Sequence, residues 1–203
     1  MSDSADLYPF EHGLTWVMRE WMRRASHAVV ADGKVWLIDP VDEPEAIEAA
    51  RQLGEFGGVI QLLDRHPRAC RALAEHYDIP FYRLPDELPI PGVEVFSVLR
   101  GKYWQERALW FADTGTLVVA ELVGTNQYYA LSKNTVGVHP MLRGLRGTRV
   151  GDHLPVQHLL VGHGAPVHEG AAEALAVAYR QRLRDAPLIV RGLRAFVGTS
   201  RQK

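Results

Sequence analysis

The sequence predicts an α/β domain in which two sheets pack face to face and helices cover both outer faces. Three observations lead there. Residues 28–84 alternate strand and helix signals as β-α-β-α-β, residues 93–122 carry strand signals joined by a tight turn, and a last strand signal at 154–161 precedes a helical period. Strands grouped in each half, with helices between and after them, bury their apolar faces most simply as layers.

Taken in order, the apolar runs 28–31 and 34–38 flank Asp32-Gly33, a pair that readily adopts the positive φ angles of a two-residue hairpin. Acidic residues and Pro44 then precede Ala46, Ile47, Ala49, Ala50 and Leu53, which recur at helical spacing until Gly57-Gly58 ends the pattern. A continuous apolar strand follows at 59–63, a second helix at 67–77 and a strand at 79–84 after the Asp78 break. In the second half, 93–99, 108–112 and 116–122 read as antiparallel strands, the last two joined through Asp113-Thr114-Gly115. Residues 123–149 lack a firm period and are expected to form a long, partly helical insertion, with short helical turns at 128–131 and 140–145. The strand at 154–161 leads through Gly162-His163-Gly164 into a helix over 169–183, with Ala172, Leu175, Ala176 and Tyr179 on one face. Near the amino terminus, Trp16, Met18, Trp21 and Met22 recur at near-helical spacing, which reads as core packing or a dimer contact.

With 203 residues, 47% of them hydrophobic, the chain is long enough for a full core, and one domain over 1–203 is expected. Lys and Arg number 23 against 24 Asp and Glu, so no net field favours nucleic acid or an anionic membrane. The apolar runs fall far short of the roughly 20 residues that cross a bilayer, and the lone Cys70 cannot form an internal disulfide. A soluble, unprocessed, cytoplasmic protein is the expectation. From Arg180 onward, seven basic residues face only Asp185, a basic extension that reads as a solvated helix face and tail more readily than as a nucleic-acid surface. Ser26-His27 lacks a nucleophile elbow, and there is no phosphate-cradling glycine loop.

Three loops, after Leu63, Ala120 and Val161, each follow an apolar strand and carry a polar residue able to bind metal. The sequence segments around them are Ser26-His27-Ala28-Val29-Val30 through Leu37-Ile38-Asp39-Pro40, the loop 62–69, residues 111–121, and Leu160-Val161-Gly162-His163-Gly164. In order and spacing they resemble the metallo-β-lactamase-like hydrolase superfamily over roughly residues 24–180. The resemblance implies a four-layer αβ/βα sandwich with a metal site on the shared sheet edge. The family's loop has the form His-x-His-x-Asp-His, whose imidazoles and carboxylate hold zinc or iron and activate a bound water. Here Asp64 stands at the first His, His66 at the second, Arg68 at the Asp and Ala69 at the last His. No His occurs near 101–103, where the family places another; Glu121 aligns with the bridging Asp and His163 with the closing His.

Asp64, His66, Glu121 and His163 are therefore the residual candidate ligands, for no metal or for one divalent ion of zinc, iron or manganese. A second ion is not expected, because Arg68 brings a permanent charge to its place. Each residue also has a plainer reading. Asp64 or His66 would cap the helix that Pro67 begins, His163 would be a turn residue, and Asp39 would end a strand rather than orient the loop. Glu121 closes an apolar strand and needs a partner, for which Arg68 is the expected cation. Three functions follow: a fold member without binuclear hydrolysis that binds a small molecule or partner, a one-metal hydrolase of an ester or thioester, or an oligomerising module. The last predicts an exposed apolar patch around Tyr128, Tyr129, Leu131 and Met141.

Overall fold

The structure, a computed structural model, describes residues 4–131, 134–144 and 149–183. The basic tail beyond 183, and the parts of the insertion at 132–133 and 145–148, lie outside the described residues. Six strands form the first sheet in sequence order: β1 (Ala5–Phe10), β2 (Gly13–Met18), β3 (Ala25–Ala31), β4 (Lys34–Ile38), β5 (Phe56–Gln61) and β6 (Phe81–Arg83). The first four run antiparallel, and β4, β5 and β6 run parallel. Parallel pairing requires crossovers, which α1 (Pro44–Arg51) and α2 (Cys70–His76) supply. The second sheet contains β7 (Val93–Gly101), β8 (Trp104–Phe111), β9 (Thr116–Val119) and β12 (His158–Val161) in the order β12-β9-β8-β7. A short ribbon of β10 (Val123–Gly124) and β11 (Gly137–Val138) leaves that sheet, and α3 (Ala171–Gln181) closes the described chain.

Alternation along the strands divides the core into three layers. On β3, β4 and β5, Val29, Trp36, Ile38 and Ile60 meet Leu109, Phe111, Val118 and Leu160 of the second sheet. Their sequence neighbours Ala28, Val35, Leu37 and Val59 face the other way, onto Ala46, Ile47, Ala50, Leu73 and Ala74 of the two crossover helices. On the far side, Trp110, Leu117, Leu159 and Val161 pack on Leu175, Ala178 and Tyr179 of α3. The result is the expected αβ/βα sandwich. No described helix is long and apolar enough to cross a membrane.

The Asp32-Gly33 hairpin forms as expected, with φ of 50° and 69° and Ala31 paired to Lys34. Residues 13–18 form a strand that places Trp16 in the core at 0% exposure, in keeping with the core-packing reading, while Trp21, past the strand, is 68% exposed. One expectation is corrected. The second helix starts at Cys70 instead of Pro67, because Arg68 takes the left-handed region at φ 38° and interrupts any helix before it.

Candidate metal centre

Two sheet edges converge through the loops after β5, β9 and β12. The loop after β5 crosses to the second sheet: Leu63 bridges Glu106, Arg107 donates its N–H to the Leu62 carbonyl, and Asp64 donates to Gln105. On the other side, Gly162 lies so close to the end of β9 that an added Cβ would sit 2.1 Å from the Ala120 carbonyl oxygen. Gly164 takes φ 104° and donates its N–H to the Arg23 carbonyl. The two glycines flanking His163 thus serve a tight approach and a left-handed turn, which together set the imidazole opposite Glu121.

His66 and His163 are both buried, with ring centres 5.4 Å apart, and Glu121 lies between them. One Glu121 oxygen, Oε1, is 3.5 Å from His66 Nε2 and 3.7 Å from His163 Nε2. The outer nitrogens are anchored: His66 Nδ1 lies 3.1 Å from Asp39 Oδ2, and His163 Nδ1 lies 3.0 Å from the Met22 carbonyl oxygen. A carbonyl can only accept, so His163 carries its proton on Nδ1 and turns the lone pair of Nε2 inward; the carboxylate does the same for His66. His163 Nε2 is buried and makes no hydrogen bond. One donor atom from each of His66, Glu121 and His163 lies within 4.8 Å of the others, and among the described residues no other group of three or more His, Cys, Asp or Glu does so. Two fixed imidazole lone pairs and a carboxylate suit a single divalent ion.

A second ion does not fit. Arg68 and Ala69 replace two donors, and Arg68 turns its guanidinium inward onto the carbonyl oxygens of Ala25, Asp39 and Gly162, at 2.5, 2.7 and 3.2 Å. It therefore does not form the expected pair with Glu121. That partner is Arg65, whose Nη2 is 2.7 Å from Glu121 Oε2 and whose guanidinium stacks 4.0 Å over the Trp104 ring. Burial works to raise the Glu121 pKa, but the neighbouring His163 and His66 side chains and the Arg65 charge outweigh it and hold the carboxyl below its usual range. Asp64 turns aside: its Oδ2 accepts the Gln105 N–H, and it stands outside the three-residue cluster. Neither it nor His66 caps α2, whose first turn has no side-chain cap. Asp39 lies at the centre, its other oxygen accepting the Leu62 N–H at 2.9 Å.

Three neighbours carry no sequence signal of their role. Glu106 is fully buried and accepts the N–H groups of Glu121 and Leu122 and the Trp104 Nε1–H. Burial pushes its pKa up to about 7 against those three donors. Tyr129 is fully buried and stacks on His163 at 5.7 Å, while His139 packs edge-on against Trp104, Tyr128 and Tyr129. Of the predicted apolar patch, Tyr129 is interior while Met141 is 72% exposed. Tyr128 and Leu131 instead line a groove of about 1020 Å³ with Trp21, Asn126 and Pro166; its wall includes Gly164, the residue after His163.

No family model and no curated protein matches the sequence. Solved structures do match. The DIM-1 metallo-β-lactamase exposed to ceftazidime superposes with a TM-score of 0.58 at 13% identity, over 88% of this chain and 97% of that one. A diflavin flavoprotein fragment from Nostoc sp. PCC 7120 gives 0.62 at 16% identity, over 91% and 98%. The FIM-1 metallo-β-lactamase from Pseudomonas aeruginosa in its mono-zinc form gives 0.57 at 11% identity, over 87% and 95%. At these identities the likeness establishes architecture. The chain has the metallo-β-lactamase fold, divergent in sequence and with a reduced site of three potential metal donors.

Proposed function

We propose that this fold has here lost its two-metal chemistry and retains a site for one divalent ion, held by His66, His163 and Glu121, beside a groove that admits a small molecule. The observation that carries this is the matched anchoring of both histidines through Nδ1, which leaves two Nε2 lone pairs aimed at one carboxylate. A bound ion would supply a Lewis acid and lower the pKa of a coordinated water toward neutrality, which is the chemistry of ester or thioester hydrolysis. The chain's own groups divide the remaining work. Glu121 balances cationic charge between the imidazoles, and Arg65 fixes that carboxylate from its other oxygen. Trp21, Tyr128 and Leu131 offer apolar surface to a substrate's non-reacting portion.

A second reading, binding without hydrolysis, is favoured by the Arg65–Glu121 pair, because a carboxylate already paired with a guanidinium is a weaker metal ligand. Metal analysis of purified protein, followed by zinc titration and assay against ester and thioester substrates, separates the two. One equivalent that disappears in H66A and H163A together with hydrolysis supports the hydrolase; one equivalent without turnover supports binding alone. Wild-type metal content and turnover in both variants would overturn the whole reading.

A further inference from the structure

At the opposite end of β12 from His163, a second group of imidazoles gathers in the layer between the sheets. Leu159 and Val167 exchange backbone hydrogen bonds of 2.8 and 2.9 Å across an isolated antiparallel bridge. The next pair outward, His158 and His168, is therefore a non-hydrogen-bonded cross-strand pair, the type whose side chains stand closest. Their Nδ1 atoms are 3.1 Å apart, with ring centres at 5.1 Å. Phe10 stacks on His168 at 5.0 Å and braces it from the first sheet. His12, in the β1–β2 turn, has its ring 5.7 Å from His158 and its Nε2 3.8 Å from the Glu11 carboxylate.

The geometry points to a second transition-metal site here, held by His158 Nδ1 and His168 Nδ1, with His12 as a third donor that ring rotation brings in. Two nitrogens bound at about 2.0–2.1 Å and at angles from square to tetrahedral must lie about 2.9–3.4 Å apart, a window that includes the observed separation. Imidazole donors without thiolate select zinc, copper or nickel over magnesium or calcium. Either a proton or an ion must lie between two facing nitrogens, and the backbone bridge sets their spacing before either arrives. An ion there would tie the β1–β2 turn of one sheet to β12 of the other.

Zinc titration by calorimetry tests the site independently of the first. H66A/H163A protein is expected to retain one equivalent that His158→Gln/His168→Gln protein lacks, and magnesium is expected to give no heat in either. If the glutamine variant does not fold, imidazole ¹⁵N resonances of wild-type protein decide, with zinc expected to shift both His158 and His168. Unshifted resonances, or a folded glutamine variant that retains the equivalent held by H66A/H163A, overturns the proposal.

Discussion

Asp39 determines which nitrogen of His66 is available. One carboxylate oxygen is committed to the Leu62 N–H and the other to His66 Nδ1, so the ring's proton and orientation are both set from behind. The residue takes φ 45°, a left-handed conformation that Asp and Asn tolerate better than other non-glycine residues. Asp39→Asn therefore keeps the backbone and the Leu62 hydrogen bond but turns an amide donor toward His66 Nδ1. The imidazole must then carry its proton on Nε2, where the lone pair is needed. We expect a loss in zinc affinity of about 10–100-fold, as found for outer-shell changes at metal histidines, with a melting temperature close to wild type. Unchanged affinity in a competition titration would remove Asp39 from any positioning role. The same scale explains one misassignment. Arg65 and Arg68 both lie in the loop, and the sequence offers no reason to prefer one for Glu121; the left-handed φ of Arg68, which sends its side chain under the loop, is visible only in three dimensions.

Among the elements, Arg68 does for strand ends what a metal does for side chains, gathering the carbonyls of β3, of the β4 terminus and of the turn after β12 around one buried cation. Burial works to lower its pKa and Asp39 to raise it. Arg68→Ala would remove a charged donor from all three carbonyls, of which Gly162 keeps the Ala25 N–H at 2.8 Å, and we expect a loss of about 3–5 kcal/mol in urea unfolding. Lysine, a single point charge, should recover only part, because it cannot fork to three carbonyls. An alanine variant within 1 kcal/mol or so of wild type would mean that water replaces the guanidinium without penalty. Much of this level was legible in the sequence. The run 59–63, apolar except for Gln61, marks the buried strand that ends at Gln61, Asp32-Gly33 marks the hairpin, and Gly162-His163-Gly164 marks a turn. The amino-terminal hairpin was not, because Trp16, Met18, Trp21 and Met22 imitate a helical period although only the first two lie in a strand. Glu106 was equally hidden. It sits among Trp104, Gln105 and Arg107, where a polar residue on a strand looks solvent-facing, and its burial follows from the crossing of the 62–64 loop over β8.

Across the whole molecule, buried titratable groups make stability depend on pH in opposing senses. His27, on β3 and hydrogen-bonded to Thr15 through Nδ1, has its pKa lowered to about 3 by burial first and by the Arg68 charge second. His139 is lowered to about 4, again chiefly by burial. Both are neutral in the folded protein and take up protons on unfolding, so their contribution is complete above their ordinary value of 6.5 and is lost as pH falls toward their folded values. Glu106, raised to about 7 from an ordinary 4.5, acts in reverse: the folded state holds the proton more tightly, so this group stabilises at low pH and the contribution disappears as pH rises through 7. Between 4.5 and 6.5 the two histidines outnumber the carboxyl, which gives falling stability on acidification. Below 4.5 the Glu106 gain is complete and no longer offsets the loss, so the acid limb steepens. His27→Gln removes one of the protons gained on unfolding. The slope of unfolding free energy against pH, measured by urea titration between pH 4.5 and 6, should then flatten by about 1.4 kcal/mol per pH unit. A variant whose slope matches wild type would show that His27 is already protonated in the folded sandwich, and the dry layer between the sheets would have to be wetter than its packing indicates.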